Sequence, residues 1–158
     1  QPFAAVITAG FLELIIKSTV IALLYLALYL LDETFLIHDP LLLISLFGLL
    51  WVFGVAVGLF FAVASSFVPE VDKIKSMLSR PLLFISCVFF SLQDVPENVW
   101  PYLTWNPLVH FNELARFACF ESYGQHGVNL SYILEVTTVA LFLSLSMYHI
   151  TWKKVLSR

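Results

Sequence analysis

From Leu41 to Val68 the chain runs without one charged residue, closed at either end by Pro40 and Pro69. A helix needs about 20 apolar residues to cross the ~30 Å hydrocarbon core of a bilayer, and this run exceeds that length. A soluble domain has no place for it: 60% of the 158 residues are hydrophobic and 12% charged, against roughly 45–50% and 25% in soluble domains. The chain therefore reads as an all-α polytopic membrane protein.

Measuring the gaps between charges places four transmembrane helices, at about 8–31, 41–66, 77–93 and 130–152, in a single transmembrane domain. The first is interrupted by Glu13 and Lys17, an intramembrane charged pair one turn apart. The pair either lines a polar path or an intersubunit contact, or the lysine snorkels to the headgroups. The third is short, since only Pro81 to Gln93 is free of charge, and the last carries Glu135 near its start. Gly54 and Gly58, with Gly48 and Ala62, give the second a small-residue face for close helix approach.

Charge then sets orientation. Lys73, Lys75 and Arg80 fall between the second and third spans, and Lys153, Lys154 and Arg158 follow the fourth. Asp32, Glu33, Asp39, Asp94, Glu97, Glu113 and Glu121 fall on the opposite side. Cytoplasmic loops retain Lys and Arg, so both ends are expected in the cytoplasm.

Several function classes are excluded. A net charge of −3 without a basic cluster is a poor match for nucleic acid. Cys87 and Cys119 give neither a disulfide framework nor a metal spacing. No Gly-rich loop ending in Gly-Lys-Ser/Thr is present, and the four histidines form no grouping with acids that would make an active site. Catalysis, metal and cofactor are not expected in this chain, and transport energy has to come from another one. The opening from Gln1 shows no signal-peptide pattern and reads as the continuation of a longer chain.

The stretch from Gln93 to Asn129 is too long and too apolar for an ordinary connector. Asn106-Pro107 is a helix start, the Asn side chain capping free N–H groups and Pro fitting the first turn, and Gly124 is placed to end that helix. Over Pro107 to Tyr123, Leu108, Phe111, Ala115 and Ala118 recur at helical spacing while Asn112, Glu113 and Arg116 group on another face. Because both neighbouring segments cross, an even number of passes is required here. The expectation is a re-entrant periplasmic helical hairpin over about 95–123, at the mouth of a pathway.

The run PLLFISCVFFSLQDVPENVWPYLTWNPLVHFNELARFACFESYG, residues 81–124, resembles the C-terminal part of ABC type-2 transporter permeases, in their capsular polysaccharide export branch. The likeness lies in a short span opening at Pro81, a Ser-Leu turn at Ser91, a Pro before a Trp/Tyr stretch, and Trp105-Asn106-Pro107 with Glu113 and Arg116. The stretch from Gln1 to Glu13 resembles the entry to the third span of those permeases. The resemblance implies a fragment of a six-span permease that lacks the first two spans, in the bacterial inner membrane. It implies a homodimer working with a separate ATPase subunit, which binds the ATP, and with periplasmic and outer-membrane export components, to move a polysaccharide outward. A related exporter of another glycan or of a drug, and a non-transporting membrane assembly protein, remain alternatives.

The same resemblance makes the hairpin a periplasmic gate. Trp100, Tyr102, Trp105, Phe111, Phe117 and Tyr123 either stack on sugar rings in a glycan pathway or form an interfacial belt. Asn106 and Pro107 belong to the same gate through the motif they share. Glu113 and Arg116 either pair to hold the hairpin closed or meet the glycan along its route.

Overall fold

The structure, a computed structural model, describes residues 2–31, 37–120 and 122–156, the side chains of 2, 3 and 152–156 excepted. Asp32, Glu33, Glu121 and Arg158, and the side chains of Lys153 and Lys154, which entered the charge argument, lie outside the described residues. The elements are α1 (Pro2–Leu30), α2 (Pro40–Phe67), α3 (Glu70–Ile85), two 3₁₀ turns (Leu92–Asp94 and Glu97–Val99), α4 (Trp100–Leu103), α5 (Pro107–Cys119) and α6 (Leu130–Leu156). The described residues include no strand.

Local chemistry sets most boundaries. Asp39 caps α2 by accepting the Leu42 N–H at 3.0 Å, with Pro40 in the first turn. The helix stops at Val68, whose extended backbone is what a residue before proline adopts. Three of the described helices are long and apolar enough to cross a membrane: Ala4–Leu30, Pro40–Phe67 and Leu130–Thr151.

The expected span at 77–93 takes a different form. Its helix, α3, begins seven residues earlier, at Glu70, and ends at Ile85, leaving 86–91 non-helical. At 16 residues it is about 24 Å long. Its charges do not block helix formation, because Asp72, Lys73, Ser76, Ser79 and Arg80 share one arc and Ile74, Leu78, Leu82 and Ile85 another. The helix ends where Cys87 takes a left-handed φ of 55°, a conformation a non-glycine residue holds only when its surroundings impose it.

α2 is the spine. It packs chiefly on α6, with Ala56, Leu59 and Val63 buried on one helix and Ile133, Thr137 and Ser144 on the other. Near the start of both, α5 completes a core of Leu46, Phe111, Leu114 and Ile133. α5 runs antiparallel to α2: the Asp39 N–H donates to the Ala118 carbonyl at 2.8 Å, and the rings of Phe53 and Phe111 lie 6.0 Å apart. Between these two contacts α5 advances seven residues, about 10 Å along its axis, so it lies against the first half of α2.

α1 touches α2 lightly and has no buried residue in its apolar window. The two come close at Gly10, where a Cβ would stand 3.1 Å from Val55 and 3.3 Å from Trp51; of the glycines read from the sequence, Gly58 would meet Val6 at 3.9 Å, and Gly48 and Gly54 face open space. The tightest of these glycine contacts is thus at a residue the small-residue argument did not single out. Between α1 and α2 runs a groove of about 820 Å³ whose wall includes Glu13 and Lys17, paired at 3.3 Å and about 70% exposed.

Candidate functional site: the hairpin and the broken helix it braces

Residues 86–92 leave the helical ladder, so their backbone groups need other partners. α5 supplies them. Asn112 Nδ2 donates to the Ser86 carbonyl at 2.7 Å, and Asn106 Nδ2 to the Ser86 hydroxyl at 3.1 Å. Arg116 Nη2 donates to the carbonyls of Cys87 at 2.8 Å and Val88 at 3.1 Å. Glu113 Oε1 accepts the Leu92 N–H at 3.0 Å. The polar face expected on this helix is thus turned toward a stretch of unwound backbone.

Glu113 is the centre of the arrangement, with its side chain 3% exposed. Its Oε1 also takes Arg116 Nη1 at 2.5 Å, and its Oε2 accepts the Tyr123 hydroxyl at 2.5 Å. With its proton on Glu113, that hydroxyl accepts from Ser91, closing a chain Ser91–Tyr123–Glu113–Arg116. Burial pushes the Tyr123 phenol above its ordinary range and the bond to Glu113 adds to it. A buried carboxylate bound by an arginine, a hydroxyl and a backbone N–H is fully partnered, which is what a charge at low dielectric requires.

A second knot lies at the other end of α5. His110, 4% exposed, accepts the Asn129 N–H on Nδ1 at 3.0 Å and donates from Nε2 to the Thr104 carbonyl at 2.7 Å. Tyr132, on the first turn of α6, lies 4.7 Å from the imidazole ring and donates its hydroxyl to the Trp105 carbonyl at 2.7 Å.

The sequence-designated residues divide. Asn106 accepts the Leu108 N–H at 3.1 Å with Pro107 at the helix start, as the capping argument expects. Replacing Asn106 with alanine removes the cap and the bond to Ser86 together, and should lower thermal stability by about 1–2 kcal/mol, read as the midpoint shift of the purified protein. α5 ends at Cys119, four residues short of Tyr123, because the Phe120 N–H closes on Arg116 and the chain turns extended there. Gly124 has no part in that stop.

The aromatic residues do not form one surface. Phe111 is in the core. Phe117 meets His38 edge-on at 6.0 Å, and Trp100 bonds through Nε1 to the Val95 carbonyl at 2.9 Å and covers Gly127. Tyr102 and Trp105 stand free, 80% and 83% exposed. Sequence reasoning missed His110 and the role of Ser86. A buried histidine bonded at both nitrogens has no local signature, since its partners lie six residues before and 19 after it.

No protein-family model matches the chain. Two proteins of Escherichia coli, both named polysialic acid transport protein KpsM, are 39% and 38% identical to it over 148 residues. The match takes in 94% of this chain and 57% of each relative, so the chain spans a little over half of their length. The relationship bears out the likeness to capsular polysaccharide permeases read from residues 81–124.

Proposed function

We propose, on the premise of that kinship, that this chain is the membrane-spanning permease part of an ATP-driven ABC exporter that carries capsular polysaccharide outward across the bacterial inner membrane. It acts as half of a homodimer, with ATP bound and hydrolysed by a separate subunit on the cytoplasmic side and with periplasmic and outer-membrane components receiving the glycan. Both ends of the chain lie in the cytoplasm.

The observation that carries the reading is the broken helix. Non-helical backbone at membrane depth is tolerated only where protein or a water-filled cavity satisfies it, and Asn112, Glu113 and Arg116 take up the Ser86, Cys87 and Val88 carbonyls and the Leu92 N–H from one helix. In this reading α3 rises from the cytoplasmic face to mid-depth, 86–92 complete a fourth crossing, and 95–123 form the re-entrant hairpin. The packing of α5 against the first half of α2 supports that depth. Movement of α3, driven from the cytoplasm, pulls on Ser86 and Cys87 and so on the helix that holds them. The hairpin is then the gate, and Tyr102 and Trp105 are the rings at its mouth that meet sugar faces.

Impermeant thiol reagents test both parts in the full-length protein within its exporter. Cysteines replacing Asn98 and Trp105 are expected to label from the periplasm, and one replacing Lys75 only once the cytoplasmic side is opened. Labelling of Asn98 and Lys75 positions from the same side would sink the fourth crossing. A Trp105 position sealed from both sides, with and without ATP turnover, would sink the gate.

A further inference from the structure

We propose that His110 is a positioning residue of the hairpin, the joint that fixes its exposed tip to α6, and that a proton on its imidazole undoes the joint. The inference rests on reading the hairpin as the moving part. Three separate pieces of chain meet at this one ring: the turn after α4 at Thr104, α5 itself, and the approach to α6 at Asn129. Tyr132 binds the same turn from the other side through the Trp105 carbonyl. The hairpin's exposed tip at Tyr102 and Trp105 is therefore tied to α6 through His110 and Tyr132.

The joint needs a neutral ring. The Asn129 N–H can only donate, so Nδ1 must keep its lone pair and Nε2 must carry the hydrogen. A second proton sets N–H against N–H at Asn129 and places a charge on a ring that is itself buried. The groups facing the ring supply nothing to offset it. From the turn comes the Thr104 carbonyl, already used; from α6 the phenol of Tyr132, with Glu135 exposed one turn further on. From α5 itself comes Glu113, its oxygens held by Arg116, Tyr123 and Leu92. Among the described residues no carboxylate forms an ion pair with His110.

Burial holds the closed joint's imidazole below its ordinary range, the Thr104 bond pulling the other way more weakly. Opening lifts that burial, so the ring takes up a proton more readily in the open form than in the closed one. As pH falls the open form is protonated first, so opening grows by up to about tenfold per pH unit until the closed form titrates too. A histidine equally exposed in the closed and open forms would give no such profile.

Cys87 is the built-in reporter. It is fully buried and packs with Leu92 and Val109 against Val128, beside Asn129. In the full-length exporter with Cys119→Ser, labelling of Cys87 at pH 7.5 and 5.5 is measured against a separate protein carrying an exposed cysteine at Asn98. The corrected rate is expected to rise up to about tenfold on acidification with His110 in place, and to be the same at both pH values in His110→Gln. An equal rise in His110→Gln, or no rise with His110 present, overturns the inference while leaving the gate untouched. The gate stands or falls separately on the Trp105 position.

Discussion

Replacing Arg116 with methionine is expected to cost more than any other single change in the hairpin. The substitution keeps the length and apolar stem of the side chain but takes the cation from Glu113 and the donors from two carbonyls of unwound backbone. Breaking a buried pair from one side strands the remaining charge, at about 3–5 kcal/mol. Arg116 is a quarter exposed in its side chain, which places the effect near the lower end of that range. Thermal unfolding of the purified protein reads it directly. Glu113→Gln made in the same chain removes the stranded charge, so the double variant should regain at least half of the loss. If the two changes simply add, the pair is not coupled and the hairpin is held by something else.

Gly127→Val should rival it by a different mechanism. Gly127 has a φ of +79°, a region that costs an ordinary residue about 1–2 kcal/mol, and β-branching makes it worse. A Cβ there would lie 2.9 Å from the Trp100 ring and 3.3 Å from Leu92, both of which belong to the second core with Cys87 and Val109. The expected loss is about 3 kcal/mol or more, with Trp100 fluorescence shifting as its ring is pushed out. Gly124→Ala is the matched control. Its Cβ would meet the exposed His126 ring, at 2.8 Å, which can swing aside, and Gln93 Nε2 at an ordinary contact distance of 3.5 Å, so a change within about 0.5 kcal/mol is expected. A Gly127 variant as mild as the control would mean that the Trp100 lid is not tight.

How much of this could be read from the residues alone depended on whether the partners were close in sequence. Asn106 and Pro107, and the run from Leu41 to Val68 between its two prolines, speak through neighbours one to four residues away, and both helices start where expected, though α5 ends four residues early. The Glu113–Arg116 pair was legible for the same reason, being three residues apart. What that pair does was not legible, because Cys87 and Leu92 lie more than 20 residues upstream and nothing in Ser86-Cys87-Val88 marks a break. An apolar run from Pro81 to Phe90 looks like a span by hydropathy, and only the tertiary bonds show that its helix stops at Ile85. The aromatics failed in another way: composition groups Trp100, Tyr102, Trp105 and Phe111, whereas packing buries one, half-buries another and leaves two free.

The bond from Arg116 to the Cys87 carbonyl reaches across 29 positions, and in a bilayer that interval becomes a waiting time. When α3 has emerged from the ribosome its last carbonyls have no partner, and at about 5–20 residues per second the arginine follows roughly 1–6 seconds later. On the proposed fourth crossing, the segment after α3 is expected to stay at the insertion machinery, or in its water, until α5 arrives. Residues 86–119 are then expected to integrate as one unit, and a chain cut short anywhere between Val88 and Arg116 to be left with a half-crossing open to quality-control proteases.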